Sequence, residues 1–291
     1  MIKIKTDAQL ELQRVACRIT RDTLLEVEKH IKPGVTTKQL DKIAYDYIIS
    51  LGAKPSFKNL YGYPATICAS VNEQVVHGIP SKHTVLKEGD IISIDVGACY
   101  KGYHGDAART FPVGKIDAKK KRLIKVTQQS FFEGIKNIRN GSYVGDISCK
   151  IQTFVEKNGY SIVRELTGHG IGSDVHEDPS VPNYGKMGSG AKLKTNMVIA
   201  IEPMVNMGEK YVQFLSNFKS NFKPAEVLSN PKYKIPADEK CGEVIDRLKK
   251  YIDLTFDKEN LPTEEQMMNM FNTLERTFNA SKDNYVRPLY V

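Results

Sequence analysis

Ile31-Lys32-Pro33-Gly34 opens a pattern that recurs later in the chain, and the recurrence points to the fold. Thr36 and Gln39 follow it with the spacing of a capping box, in which each side chain satisfies a free backbone N–H of the helix start. Leu40, Ile43, Ala44, Tyr47 and Ile48 then fall at i, i+3, i+4, i+7 and i+8, one face of a helix, and Gly52 stands where a C-terminal cap belongs. Ile138-Arg139-Asn140-Gly141 matches the opening stretch at an offset of 107 residues. At that offset Leu40 falls on Ile147, Ala44 on Ile151, Tyr47 on Phe154, Ile48 on Val155 and Gly52 on Gly159. Each copy is preceded by another helical pattern. The first has a capping signal at Thr6 and Gln9 with apolar Leu12, Val15, Ala16, Ile19 and Val27, and the second runs from Leu123 to Ile138. A helix–turn–helix unit occurring twice, each time followed by strand-like sequence, implies an internally duplicated α+β domain with a site where the halves meet. Two unrelated helical hairpins are the alternative reading of the same pattern.

Outward from the first unit, strand-like segments are Ala65–Val71, Gln74–Val76, Asp90–Val96 and Ala107–Val113. After the second come Ser161–Leu166 and the apolar run Met197–Ile201. The texture changes near Phe218, where Pro224, Pro231 and Pro236 punctuate a polar stretch that reads as a linker. Two helical patterns follow: Val244, Ile245, Leu248, Tyr251 and Ile252, then a Thr263/Gln266 cap with Met267, Met270, Phe271, Leu274 and Phe278. The organisation expected is a domain over residues 1–218 and a linker with a helical C-terminal extension over 219–291.

Composition excludes several classes. Of 291 residues, 41% are hydrophobic and 26% charged, an ordinary balance for a globular domain. No apolar run nears the roughly 18–20 residues of a membrane helix. Met1-Ile2-Lys3-Ile4-Lys5-Thr6-Asp7 enters a charged amphipathic pattern without a secretory segment, so a cytoplasmic location is expected. The five cysteines are scattered with no CxxC pair, which predicts reduced, mostly buried thiols. A net charge of +8 could attract nucleic acid, but the densest run, Lys119-Lys120-Lys121-Arg122 with Lys125, lacks interleaved aromatics and reads as a solvated helix start.

Chemistry concentrates in three places. Asp95 in Ser93-Ile94-Asp95-Val96-Gly97 and Asp106 in Gly105-Asp106-Ala107-Ala108-Arg109-Thr110 lie 11 residues apart, each beside strand-like sequence. Facing strands joined by a tight turn can aim both carboxylates at one point, where a divalent cation offsets their repulsion. Two surface aspartates flanking a turn would fit as well. Thr167-Gly168-His169-Gly170-Ile171-Gly172, followed by His176-Glu177, gives an uncrowded imidazole, and Glu202 ends a strand-like run. One imidazole with several carboxylates suits Mn²⁺, Fe²⁺, Co²⁺ or Zn²⁺ better than a thiolate site. His77, in Val76-His77-Gly78-Ile79-Pro80, is an ordinary loop histidine when read alone.

Asn72-Glu73-Gln74-Val75-Val76-His77-Gly78-Ile79-Pro80, the paired-aspartate segment, Gly168–Gly172 with His176-Glu177, and Ala200-Ile201-Glu202-Pro203 stand in the order seen in methionine aminopeptidases. The chain resembles the short bacterial-type enzyme over residues 3–215. Relatives such as prolidase and aminopeptidase P usually carry an extra N-terminal domain, and the eukaryotic type an insertion between the His and Glu motifs; the short type is therefore expected.

The resemblance implies a pita-bread fold and two divalent metal ions, with the alternative that only one is held tightly. It implies Asp95, Asp106, His169 and Glu202 as metal ligands, with Asp106 bridging. His77 and His176 would contact the substrate and stabilise the reacting carbonyl. Tyr63 and Cys68 would line the methionine pocket, where Leu60 and Val175 replace frequent aromatics. The substrates would be nascent polypeptide N-termini, with the ribosome as a candidate partner and a monomer as the working form. One element departs from the pattern: a further bridging Glu, expected about thirty residues after Glu-Pro, has no matching motif beyond Tyr211-Val212-Gln213-Phe214. Glu226, Asp238 or Glu239 could stand in for it. The alternative function is an impaired relative that binds peptides or partners without cutting them.

Overall fold

Thr6 and Thr36 start their helices by the same reciprocal bonding. Gln9 N donates to Thr6 Oγ1 (3.3 Å) while Thr6 N donates to Gln9 Oε1 (2.8 Å), and Thr36 and Gln39 repeat the pair. In the computed structural model of the chain, which describes residues 1–213, these helices are α1 (Asp7–Glu28) and α2 (Thr37–Ser50). Strands β1 (Lys54–Pro55), β2 (Ile67–Val71), β3 (Ile91–Tyr100) and β4 (Tyr103–Pro112) follow. Helices α3 (Ala118–Ile135) and α4 (Val144–Lys157) open the second half. It continues with β5 (Ser161–Ile162), β6 (Gly168–Gly170), β7 (Glu177–Val181), β8 (Ile199–Ala200) and β9 (Val205–Asn206).

The 107-residue offset holds in the backbone as well as in the sequence. Helix α4 occupies the residues of α2 shifted by that offset, and β5 those of β1. Gly34 N donates to Leu86 O and Gly141 N to Leu193 O, both at 2.8 Å. Leu86 N donates to Val35 O, and Leu193 N to Ser142 O. Isolated bridges join Thr36 to Val85 and Tyr143 to Lys192. Gly34 and Gly141 both adopt a positive φ, 89° and 94°, a conformation that a side chain makes costly. So many pairs at one spacing select the duplicated domain over two unrelated hairpins.

Each half has its own core. Leu40, Ala44 and Ile48 of α2 pack with Val27 of α1 against Ile67, Ile92, Ile94 and Val96 of the sheet. Ile147, Ile151 and Val155 of α4 pack with Leu123, Ile162 and Val205. Among the described residues the strands form three antiparallel sheets: β1-β3-β2 with β4 on β3, β7-β6-β8, and β5-β9.

Several expectations need correction. Gln74–Val76 is not a strand: Gln74 N closes a turn on Val71 O, and Gln74 Oε1 accepts from Val71 N. Ladder pairing reaches only Ile67–Val71 of the first expected strand and Ser161–Ile162 of the later one. The thiols of Cys17, Cys68, Cys99 and Cys149 are free, but only Cys68 is buried and Cys17 is exposed. Among the described residues no helix is long and apolar enough to cross a membrane. Cys241, the linker, both C-terminal helical patterns, Glu226, Asp238 and Glu239 lie outside the described residues.

Candidate active site

Strands β3 and β4 pair in unbroken register from Ile91–Pro112 to Tyr100–Tyr103, across the two-residue connection Lys101-Gly102. Asp95 stands opposite Ala108 and Asp106 opposite Gly97, so the two aspartates are diagonal neighbours on one face. Cys68 of β2 pairs directly with Asp95 and shares that face. Gly97 keeps the face open. A Cβ there would lie 2.6 Å from Phe57 Cε1 and 2.7 Å from Ser56 Cβ, so the phenyl ring occupies space that any side chain at 97 would need.

The second half supplies the opposing groups. His169 sits at the centre of β6, between Ser180 of β7 and Ala200 of β8. Its Nδ1 lies 2.9 Å from Gly170 O, which makes Nδ1 the donor and leaves Nε2 for the site. Nε2 is 3.4 Å from Asp106 Oδ2 and 3.2 Å from Glu202 Oε1. Asp106, His169 and Glu202 each present one ligand atom, all within 4.8 Å of one another. Asp95 lies alongside, with its carboxyl against that of Asp106.

The electrostatics of this cluster are unfavourable as they stand. Burial, then the charges of Asp106 and Glu202, push the Asp95 carboxyl well above the usual range. Burial likewise raises Glu202, against the opposing pull of His169. Burial alone would lower His169, but Asp106 and Glu202 outweigh it and lift the imidazole to about 10. Asp95 Oδ1 and Glu202 Oε1 are buried without a hydrogen-bond partner. Carboxylates converging on the Nε2 of His169, with Asp95 Oδ1 buried and unbonded, fit a divalent cation with nitrogen and oxygen ligands.

His77 and His176 lie near this cluster. His77 takes a left-handed backbone (φ 58°) and is exposed; the neighbouring Gly78 O accepts from Ala69 N of β2 (2.8 Å), which ties the loop to the sheet. Both histidines lie within electrostatic reach of Asp106, and each of the other. The His176 ring stands edge-on to His169, with centroids 4.4 Å apart. Burial, then the charge of His169, hold it down at about 4, so it is neutral near pH 7.

Tyr63 and Cys68 fall in one apolar cluster with Phe57, Val175 and Leu60, all four expected pocket positions together. The Tyr63 hydroxyl donates to Ile67 O (2.9 Å), and burial raises both the phenol and the Cys68 thiol, keeping them neutral. Two neighbours escaped the sequence. Phe57 has no motif of its own, and its only signal is the glycine that faces it. Tyr61, 81% exposed, stacks on His176 at 5.9 Å and 9°; nothing in its type or spacing marks it.

The profile of metallopeptidase family M24 matches residues 11–218. The chain belongs to this family. It is 54% identical over 217 residues to a methionine aminopeptidase of Clostridium acetobutylicum, covering 75% of this chain and 87% of that one. It is 51% identical to methionine aminopeptidase 1 of Bacillus subtilis over the same shares. The crystal structure of the methionine aminopeptidase from Thermotoga maritima superimposes with a TM-score of 0.73 at 44% identity, covering 75% of this chain and 87% of that one. The expected pita-bread architecture is thus the architecture of this M24 chain.

Proposed function

We propose that this chain is a methionine aminopeptidase that hydrolyses the first peptide bond of polypeptides beginning with methionine, with Asp95, Asp106, His169 and Glu202 holding divalent metal. The observation that carries the site is the convergence of Asp106, His169 and Glu202 within 4.8 Å beside the orphaned Asp95 Oδ1. Identities of 51–54% to relatives named methionine aminopeptidase favour a working enzyme over an impaired peptide binder.

When bound, a divalent cation supplies Lewis-acid activation of water and of the peptide carbonyl. The protein supplies everything else. The cluster of Phe57, Leu60, Tyr63, Cys68 and Val175 receives the methionine side chain, which has no polar group needing a partner. Neutral His176 can donate its ring N–H to the carbonyl oxygen as charge develops there, and His77 contacts the substrate at the other rim of the cluster. A snug apolar pocket for the first residue leaves selection of the second to the space beyond it.

The same reading takes two divalent ions, Co, Mn, Fe or Zn, with one held more tightly because no further bridging carboxylate is in view among the described residues. It places the protein in the cytoplasm as a monomer acting on nascent chains near the ribosome, with residues 1–218 as the peptidase domain and 219–291 as a separate C-terminal segment. Metal analysis alongside cleavage of Met-Ala-Ser tests it. Release of free methionine that depends on added metal is expected; no release with any of the four metals would sink it.

A further inference from the structure

The residues on either side of His176 are met by side chains from the first residues of the chain. Glu177, its immediate neighbour, is only 2% exposed at its side chain and is met by Lys5, 4% exposed, at 2.6 Å between Nζ and Oε2. The other oxygen, Oε1, accepts from Lys3 Nζ (3.2 Å), Ser173 Oγ (3.2 Å) and Asp174 N (3.3 Å). Lys5 is itself held, since its N donates to Asn196 O at 3.0 Å and its Nζ to Lys3 O at 3.3 Å. Lys3 Nζ also pairs with Asp174 at 2.7 Å, and the Met1 amine pairs with Asp178. The packing leaves no slack: a Cβ on Gly172 would lie 2.5 Å from Lys5 Cε and 2.7 Å from Glu177 Oε1.

The segment fixed in this way carries two other groups of the site. Val175 sits in the apolar cluster, His176 faces His169, and Glu177 is anchored below. At its far end the loop is tied to β4, where His104 N donates to Gly172 O at 2.9 Å, two residues from Asp106. His176 itself meets the exposed Tyr61 ring on one side and the edge of His169 on another, contacts that an anchored backbone keeps in register. A buried carboxylate with four donors is rigid; removing its charge leaves the buried Lys5 ammonium without a counter-charge, and removing Lys5 leaves Glu177 with Lys3 as its remaining cation.

We propose that the buried Lys5–Glu177 ion pair is a positioning device for His176, making the first five residues part of the active-site scaffold. This rests on the aminopeptidase reading for the task of His176. The anchored geometry itself does not depend on that reading.

The test compares wild type with Lys5→Met, the near-isosteric Glu177→Gln, and the double variant Lys5→Met/Glu177→Met, as full-length protein loaded with the same metal. Cleavage of Met-Ala-Ser should fall in kcat on the order of 10- to 100-fold in both single variants, with KM far less affected and metal content unchanged. The double variant removes the uncompensated charge and regains thermal stability, yet its kcat should stay low. A purely structural pair predicts the opposite, with kcat recovering as stability does. In metal-free protein, the His176 imidazole resonances, identified by their loss in His176→Ala, should shift or broaden in Glu177→Gln. That signal needs neither metal nor substrate, so a wild type that releases no methionine would overturn the functional reading and leave this measurement interpretable. Unchanged His176 resonances, a kcat within about twofold of wild type, or a loss of rate matched by loss of metal would each overturn the proposal.

Discussion

Asp95 and Asp106 meet diagonally across β3 and β4, carboxyl against carboxyl, with Asp95 Oδ1 buried and unpartnered. Without a cation this arrangement works against folding, because the Asp95 carboxyl is raised well above its usual range and so resists ionising in the folded state. Asp95→Asn should therefore raise the melting temperature of the metal-free protein by a few degrees, on the order of 1 kcal/mol. The same change should cut kcat/KM by at least about 100-fold through loss of a charged ligand. Calorimetry with and without metal, beside an activity assay, reads both effects. A metal-free variant less stable than wild type would show that the carboxylates are not in conflict.

Metal uptake should release protons. His169 is lifted to about 10 in the metal-free site, so near pH 7 its Nε2 carries a proton that a cation must displace. Titration calorimetry of metal-free protein in buffers of different ionisation enthalpy should give at least about one proton released per cation bound. His169→Ala should bind more weakly and release fewer. An observed enthalpy that is independent of buffer would show that Nε2 of His169 carries no proton in the metal-free site.

The duplication was legible because it rests on local grammar. Caps at Thr6/Gln9 and Thr36/Gln39, and turn glycines at Gly34 and Gly141, act within a few residues and leave marks a sequence retains. The four cluster residues were legible for a related reason, since carboxylates and an imidazole beside glycine are hard to place in strands without a task. Gln74–Val76 misled because adjacent valines favour a strand by residue type, while the side chain of Gln74 bonds back to Val71 N and closes a turn there. Phe57 and the Lys5–Glu177 pair were out of reach altogether. Both depend on contacts between distant parts of the chain, 40 and 172 residues apart for Phe57–Gly97 and Lys5–Glu177, and no local spacing encodes them.

Gly97 links the metal cluster to the apolar pocket, and its replacement should affect the pocket first. The Cβ of Gly97→Ala would press on Phe57 and Ser56 at under 3 Å, forcing the phenyl ring from the cluster it shares with Tyr63 and Cys68. Overpacking of this kind costs about 1–3 kcal/mol. The kinetic signature should be a KM for Met-Ala-Ser raised several-fold with kcat changed less, because a side-chain pocket binds ground and transition states alike. A fall in kcat at constant KM would place Phe57 outside the methionine pocket.

Glu177 gives the buried anchor a pH signature. Burial pushes its carboxyl up, but the donors from Lys5, Asp174 and Lys3 outweigh burial and hold it at about 2, against an ordinary value of 4.5. A carboxyl depressed in the folded state contributes stability above its unfolded value, and that contribution drains away as pH falls through the folded one. The stability advantage of wild type over Glu177→Gln should thus be level above about pH 5 and shrink steadily between about 4.5 and 2. Urea unfolding of both proteins, metal-free so that metal affinity does not add its own pH dependence, measures the difference at each pH. An advantage equally large near pH 3 and near pH 7 would mean that the Glu177 charge is not what holds the N-terminal residues to the loop of His176.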